Sequence, residues 1–84
     1  MTSFAPELLD CLTALVEEGS FERAARRLSI THSAVSQRLK TLEGLAGTVL
    51  IARDRPLRAT PAGRLLFKHA LQLRLLRTDL EHEL

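Results

Sequence analysis

Two side chains suited to helix N-caps, Ser20 and Thr31, stand eleven residues apart and confine the helix between them to about eight residues. Ser29-Ile30 leaves room for a tight turn, and a longer helix is expected from His32 to about Glu43, ended by Gly44 and Gly47. A short helix, a three-residue turn and a second helix predict a helix-turn-helix. The inward face of the short helix is apolar, and its two alanines are small enough to let the two helices cross closely. Its members are Phe21, Ala24, Ala25 and Leu28.

The flanking segments complete a mainly α fold. Leucines at helical spacing predict a first helix over about Pro6 to Glu18. After Gly47, two short extended segments surround the polar tip Arg53 to Pro56 and predict a small β-hairpin. Thr60-Pro61 pairs an N-cap with a proline at the first helical position and opens a long helix that reaches about His82. The predicted order is three helices, a hairpin and a long C-terminal helix.

Size and composition exclude several classes of protein. Eighty-four residues form one small domain with a thin core. No apolar run approaches the roughly 18 residues of a membrane span, and no signal-peptide pattern opens the chain, so a soluble cytoplasmic protein without membrane partners is expected. The single cysteine, Cys11, excludes an internal disulfide and is interpreted as a small buried apolar group.

The charges are segregated along the chain. The first 22 residues hold five acids and neither lysine nor arginine, whereas all twelve basic residues lie between Arg23 and Arg77 with two acids, Glu43 and Asp54. A basic middle segment in a chain of net charge +2 indicates a polyanionic partner met by one face. Pairing of these bases with the acidic first helix is the alternative, with Arg38 expected to reach Glu17 or Glu18 as readily as a phosphate.

The third helix carries the most informative surface. On a helical wheel its apolar side chains gather on one side: Ala34, Val35, Leu39, Leu42 and Leu45. Its other side holds hydrogen-bonding groups, one cation and no acid: His32, Ser33, Ser36, Gln37, Lys40 and Thr41. Such groups approach base edges and phosphates closely and bond them in fixed geometry, whereas a merely solvated face usually carries glutamates. The hairpin that follows, with Arg53, Arg55 and Arg58, can lie beside a duplex as a wing.

These residues resemble a known family. The run from Gly19 to Glu43, GSFERAARRLSITHSAVSQRLKTLE, is similar to the N-terminal DNA-binding domain of LysR-type transcriptional regulators. LIAR at 50–53 and TPAG at 60–63 resemble the family's wing arginine and the T-x-x-G that opens its linker helix. Within the family the motifs look most like the ArgP/LysG branch, which implies a lysine- or arginine-responsive regulator of amino-acid transport or metabolism genes. The family's large effector-binding domain is absent from this sequence, and the wing tip lacks the usual glycine.

The resemblance also implies roles for individual residues. Base contacts are expected from His32, Ser33 and Gln37, with Gln37 suited to bidentate bonding to adenine. Phosphate contacts are expected from Thr31, Ser36, Lys40 and Arg53, with Arg58 as a further candidate. A role as the N-cap of the third helix would by itself also explain a threonine at position 31. Residues 1–60 are expected to form the DNA-binding domain and 61–84 the linker helix, and a full-length regulator would also contact RNA polymerase.

The last helix is expected to dimerise the protein. A leucine repeat at seven-residue spacing, with a neighbouring stripe, extends beyond what so small a core covers, and linker helices of the family pair in this way. The dimerisation residues are therefore expected to be Leu66, Ala70, Leu73, Leu80 and Leu84. The predicted partners are a second copy of the chain and double-stranded DNA.

Two other functional classes are weighed against DNA binding. A winged helix can instead be a protein-interaction module, but such modules favour exposed aromatic or leucine side chains on the third helix. An enzyme is not expected, because the sequence has no phosphate-binding glycine loop, nucleophile arrangement or cofactor fingerprint. Neither a cofactor nor a metal is expected, since His32 has no second ligand at zinc spacing.

Overall fold

The computed structural model describes residues 4–83. It contains four helices and one two-stranded antiparallel sheet: α1 (Pro6–Glu18), α2 (Phe21–Leu28), α3 (His32–Ala46), β1 (Ile51–Ala52), β2 (Arg58–Ala59) and α4 (Pro61–Glu83). The sheet pairs Ile51 with Ala59 and Ala52 with Arg58. The prediction of a mainly α winged helix-turn-helix with a long C-terminal helix is confirmed.

The caps that separate the helices lie where the sequence predicted them. The side chain of Ser20 accepts a hydrogen bond from the amide of Arg23 at 3.0 Å, and that of Thr31 accepts one from the amide of Ala34 at the same distance. Each bond satisfies one of the unpaired amides in a first helical turn. Between the helices Ser29 adopts a left-handed conformation with φ 57°, which reverses the chain tightly. The turn therefore fixes α3 relative to α2.

The third helix is longer than predicted. Gly44 lies inside α3, and the helix ends at Ala46, where Gly47 takes φ 74° and its amide donates to the carbonyl of Glu43 at 2.9 Å. A glycine within a helix costs only about 1 kcal/mol, so tertiary contacts override it. The Glu43 carboxylate supplies such a contact, because one oxygen accepts hydrogen bonds from the amides of Leu50 at 2.7 Å and Ile51 at 3.3 Å. It ties the end of α3 to the start of the wing.

The core forms around α1, which packs against α2, α3 and α4. Its largest fully buried side chains are Leu12, Leu15, Leu39, Leu42, Leu50, Val35 and Cys11. Ala24 and Ala25 are buried in α2, which packs against both α1 and α3, so the small residues fit a close approach of these helices. Leu45, predicted on the apolar side of α3, is instead 49% exposed, because it lies in the helical turn past the core.

α4 begins with a close approach to the wing. The Thr60 hydroxyl donates to the carbonyl of Val49 at 2.7 Å and accepts from the amide of Gly63 at 3.1 Å, while the Thr60 amide donates to the carbonyl of Leu50 at 3.0 Å. Gly63 is buried directly against that Leu50 carbonyl. The helix then runs 23 residues, roughly 34 Å at 1.5 Å per residue. Residues 75–83 are exposed.

Cys11 is the buried ionisable group of α1. Its Sγ donates a weak hydrogen bond to the carbonyl of Val35 at 3.6 Å, and none of the residue is exposed. Burial raises the pKa of the thiol from 9.0 to about 11, because the low-polarity surroundings disfavour the thiolate, and the charge of Arg38 offsets part of this rise. The thiol is therefore protonated at neutral pH.

We expect stability to fall as the pH rises from 9 to about 11. In the unfolded chain the thiol ionises near its ordinary pKa, whereas the folded chain keeps it protonated until about 11, so the unfolded state is favoured as the pH increases. The loss should approach about 2–3 kcal/mol at the upper end and be absent below pH 9. Urea unfolding across this pH range checks it. The Cys11→Ala variant should not show the part of the stability loss that comes from the thiol. Parallel plots of unfolding free energy against pH for the two proteins would contradict the prediction.

Candidate nucleic-acid interface

The polar face of α3 is presented to solvent as the wheel predicted. Its exposed members are Thr31, His32, Ser33, Gln37, Lys40 and Thr41, and Ser36 is half-buried beside them. The structure thus places the three predicted base-contact residues, His32, Ser33 and Gln37, on one exposed face. The hydroxyl of Thr41 donates to the carbonyl of Gln37 at 3.0 Å within the helix. That bond uses the hydroxyl proton of Thr41 and only the backbone of Gln37. The side-chain amide of Gln37 takes no part in it.

The beginning of α3 is suited to a phosphate. Thr31 caps the helix by accepting from Ala34, and the proton of its hydroxyl remains a donor. The first amides of a helix point outward and carry partial positive charge, which favours an anion at this end. Capping and phosphate contact by Thr31 are therefore compatible.

Arginines of α2 and α4 form ion pairs with acids of α1. Arg27 contacts Glu17 at 2.7 Å and Glu18 at 3.3 Å, and Arg23 contacts Glu18 at 3.4 Å. The hydrogen bond with Glu17 is the main reason that the pKa of Arg27 lies above its ordinary value. From α4, Arg74 reaches Glu17 at 3.8 Å and Arg77 reaches Asp10 at 3.9 Å. The expected pairing of Arg38 with Glu17 or Glu18 is not present among these bridges, since Arg23, Arg27 and Arg74 take those carboxylates.

Positive charge remains available beside α3. Lys40, Arg53 and Arg55 are exposed and form no ion pair with an acid in residues 4–83. Arg58 differs, because its guanidinium bonds Asp54 through Nε at 2.8 Å and through Nη2 at 2.6 Å. A phosphate contact by Arg58 therefore requires it to exchange or share this partner.

An aromatic ring lies between α3 and the wing. The Cζ atom of Arg53 is 4.7 Å from the centroid of the Phe21 ring, and the His32 ring centroid is 5.3 Å from the same ring at an interplanar angle of 35°. Phe21 was predicted on the inward face of α2, and its contacts with Arg53 and His32 were not expected. No sequence signal would have found them, because the three residues are brought together by tertiary packing alone.

The exposed leucines of α4 overlap partly with the predicted dimerisation set. Leu66 and Ala70 pack against the domain's own core, while Leu73 is 47% and Leu80 57% exposed. Leu84 lies outside the described residues. Sequence reasoning missed three further leucines that are even more exposed, Leu65, Leu75 and Leu76. Their departure from the seven-residue repeat explains why they were missed.

Other kinds of site find no support in the part of the chain described. Residues 4–83 contain no group of three or more histidine, cysteine or acidic side chains placed to hold a metal ion. No helix among them is long and apolar enough to cross a membrane.

A short bracing helix α2, a helix α3 whose exposed face from His32 to Thr41 bears no acid, and a basic two-stranded wing define a winged helix-turn-helix DNA-binding domain. Residues 6–64 match the family model described as bacterial regulatory helix-turn-helix protein, lysR family. Because the match spans most of the chain, the protein belongs to this family and corresponds to its helix-turn-helix region.

Individual relatives agree with the family assignment. The transcriptional regulator ArgP of Pseudomonas aeruginosa is 47% identical over 81 residues, which are 96% of this chain and 27% of ArgP. The lysine export transcriptional regulatory protein LysG of Corynebacterium glutamicum is 46% identical over 79 residues, 94% of this chain and 27% of LysG. The chain thus spans about a quarter of the length of these regulators.

Solved structures show the same fold. Full-length LysG from C. glutamicum superposes with a TM-score of 0.94 at 43% identity, covering 96% of this chain and 28% of LysG. The DNA-binding domain of BenM, solved with benA site 1 DNA, superposes with a TM-score of 0.85 at 32% identity, covering 95% of this chain and 90% of that one. The similarity to ArgP and LysG agrees with the branch indicated by the sequence motifs.

Proposed function

We propose that this domain binds duplex DNA sequence-specifically as the recognition part of a transcriptional regulator. One observation carries the proposal: the polar face of α3 is exposed, bears no acid from His32 to Thr41, and is flanked by Lys40 and Arg53, which have no acidic partner in residues 4–83. An α-helix with such a face fits the major groove. The relative crystallised with DNA supports the same mode of binding.

The residues divide into two roles. His32, Ser33 and Gln37 read base edges, because their side chains stand on the exposed face of α3. The phosphate contacts come from Thr31, Ser36, Lys40, Arg53 and Arg58, with Arg58 shifting between Asp54 and the DNA backbone. Residues 1–60 form the DNA-binding unit, and 61–84 form the linker helix.

The alternatives are less well supported. The exposed face of α3 from His32 to Lys40 has no phenylalanine, tyrosine, tryptophan or large aliphatic side chain of the kind that a protein-interaction module uses. The relatives are named as regulators, which supports a protein without enzymatic activity of its own. A bacterial DNA-binding regulator acts in the cytoplasm, and no cofactor enters this role.

The regulated genes are proposed from the relatives. LysG is named for lysine export, and the similarity supports amino-acid transport or metabolism genes as targets of a regulator containing this domain. Response to lysine or arginine and contact with RNA polymerase would belong to a longer chain that carries an effector-binding domain.

The proposal also includes a homodimer formed through α4. The helix extends past the core, and its residues 75–83 are exposed, including Leu75, Leu76 and Leu80. Exposed leucines on one long helix favour pairing with a second copy. Two recognition helices would then enter major grooves roughly 34 Å apart, or a multiple of it, at an interrupted inverted repeat.

The first test is selection of bound duplexes from a random-sequence pool at moderate salt, followed by sequencing. Enrichment of an inverted repeat with fixed half-site spacing is the expected result. Salt-sensitive binding without any enriched sequence would contradict specific reading by α3.

Two substitutions separate the proposed roles. Gln37→Ala should relax preference at one base position, at a cost of about 1–3 kcal/mol for the preferred base. Arg53→Ala should instead weaken binding to all sequences alike. Fluorescence anisotropy with the selected duplex and with single-base variants measures both effects. Gln72→Ala and Arg77→Ala, on α4, make the same chemical changes elsewhere, and equal losses on every duplex for both test variants would contradict the division.

Dimerisation is tested on the exposed leucines of α4. Leu73→Gln combined with Leu80→Gln should raise the dimer dissociation constant at least about tenfold, since each buried leucine contributes about 1.5–3 kcal/mol. Sedimentation equilibrium measures the change, and circular dichroism should remain that of the parent because both side chains are about half exposed in the single chain. Leu45→Gln is the control on α3. A parent protein that is monomeric throughout would contradict the proposal.

A further inference from the structure

We propose that Phe21 is a positioning residue for DNA binding: its ring holds the Arg53 guanidinium of the wing and the His32 imidazole of α3 in place before DNA arrives. The inference rests on the proposed function, because it assigns a use to Arg53 at phosphates and to His32 at a base edge. Phe21 itself touches no DNA in this proposal.

The Phe21 ring is anchored against the core and also borders an open groove. Phe21 is the first residue of α2, directly after the Ser20 cap, and it is half-buried with its ring packed against the core. It also lines an open groove between the turn before α2, the start of α3 and the wing, together with His32 and Arg53. A ring anchored in this way holds a fixed position where α2, α3 and the wing meet.

Arg53 has the geometry of a cation–π contact. Its Cζ atom lies 4.7 Å from the ring centroid, inside the roughly 6 Å over which such contacts act. Arg53 forms no ion pair with an acid in residues 4–83, so the Phe21 ring is the partner that orients its guanidinium. An arginine that stacks on a ring keeps its N–H groups at the edge free to donate to a phosphate.

His32 contacts the same ring from α3. The two ring centroids are 5.3 Å apart with an interplanar angle of 35°, a separation typical of interacting aromatic pairs. One side chain therefore orients a residue proposed to read a base and a residue proposed to hold the backbone. Ordering both in the free protein reduces the conformational entropy lost on binding.

The experiment is a double-mutant cycle with the duplex obtained by selection. Phe21→Leu keeps an apolar side chain but removes the aromatic face, whereas Phe21→Tyr keeps the ring. Phe21→Leu should lower affinity about two- to fivefold in the parent and less in an Arg53→Ala background, because part of its effect acts through Arg53. Phe21→Tyr should bind the duplex with the affinity of the parent. Phe67→Leu, which removes a half-buried ring from α4, is the matched control and should leave DNA affinity unchanged.

A second measurement needs no DNA. In NMR spectra of the free domain, the side-chain resonances of Arg53 should be shifted by the ring current of Phe21, lose that shift in Phe21→Leu and keep it in Phe21→Tyr. The stability of each variant is measured by urea unfolding, so that a packing defect is recognised.

The outcomes separate this inference from the proposed function. Equal losses from Phe21→Leu with and without Arg53, failure of the tyrosine to restore affinity, or an absent ring-current shift would each overturn positioning by Phe21 while leaving DNA binding by Arg53 intact. If the shift is present but Arg53→Ala leaves affinity for every duplex unchanged, the phosphate role of Arg53 fails, and the positioning inference fails with it.

Discussion

Gly63→Ala is expected to unfold the domain or leave it barely stable. A Cβ atom at this position would stand 2.0 Å from the carbonyl oxygen and 2.9 Å from the carbonyl carbon of Leu50. These are backbone atoms, so no side chain can rotate away, and α4 would have to separate from the wing. The Leu50 carbonyl also accepts the Thr60 amide at 3.0 Å, and that bond would be strained too. The loss should exceed about 3 kcal/mol, at or beyond the upper end for overpacking, in a domain whose total stability is about 4–12 kcal/mol.

The measurement is urea unfolding followed by circular dichroism, with Gly44→Ala as the control. Gly44 lies within α3, and an added Cβ there meets nothing within 4 Å. This control should be stabilised by up to about 1 kcal/mol, since alanine is a better helix former than glycine. The interpretation of the T-x-x-G motif as a close backbone contact is wrong if both variants unfold at the urea midpoint of the parent.

DNA affinity is expected to fall steeply as salt is raised. The proposed phosphate contacts of Lys40, Arg53 and Arg58 would place three positive charges per chain, or six in a dimer, against the DNA backbone, and each neutralised phosphate releases counterions. A slope of log affinity on log salt of about −5 then gives a loss of roughly a thousandfold between 50 and 200 mM salt. If Arg58 stays paired with Asp54, four charges remain, and the slope falls to about −3.6, with a loss of roughly 150-fold.

Anisotropy titrations at several salt concentrations measure this slope. Arg53→Ala should make it shallower by about 2 for a dimer, while Arg77→Ala, whose guanidinium lies near Asp10, should not change it. A parent slope near zero would show that binding does not use phosphates.

The elements of the fold were predictable because local chemistry determines them. Ser20 and Thr31 are caps in the structure as in the sequence, and Pro61 opens α4. The end of α3 was not predictable, because Gly44 suggested a stop while the contact of Glu43 with the wing amides, distant in sequence, favours continuation. The small hairpin predicted for the wing is confirmed, and each of its strands has two residues.

The candidate site was predictable where it follows helical periodicity. The exposed side of α3 follows directly from spacing, so His32, Ser33 and Gln37 were assigned to one face without a structure. The roles assigned to individual residues stay predictions. The pairing of Arg58 with Asp54 and the stacking of Arg53 on Phe21 depend on how the wing folds back, which residue spacing does not report.

The carboxylate of Glu43 has a mechanical consequence for the choice of operator. By holding the amides of Leu50 and Ile51, it joins the helix proposed to read bases and the hairpin proposed to grip the backbone into one stiff body. The distance between the two contacts on DNA is then set by the protein. If α3 and the wing make the proposed contacts, a duplex whose groove width or curvature does not match that distance must deform or lose one contact, so we expect operators to be selected by their flexibility as well as by their bases.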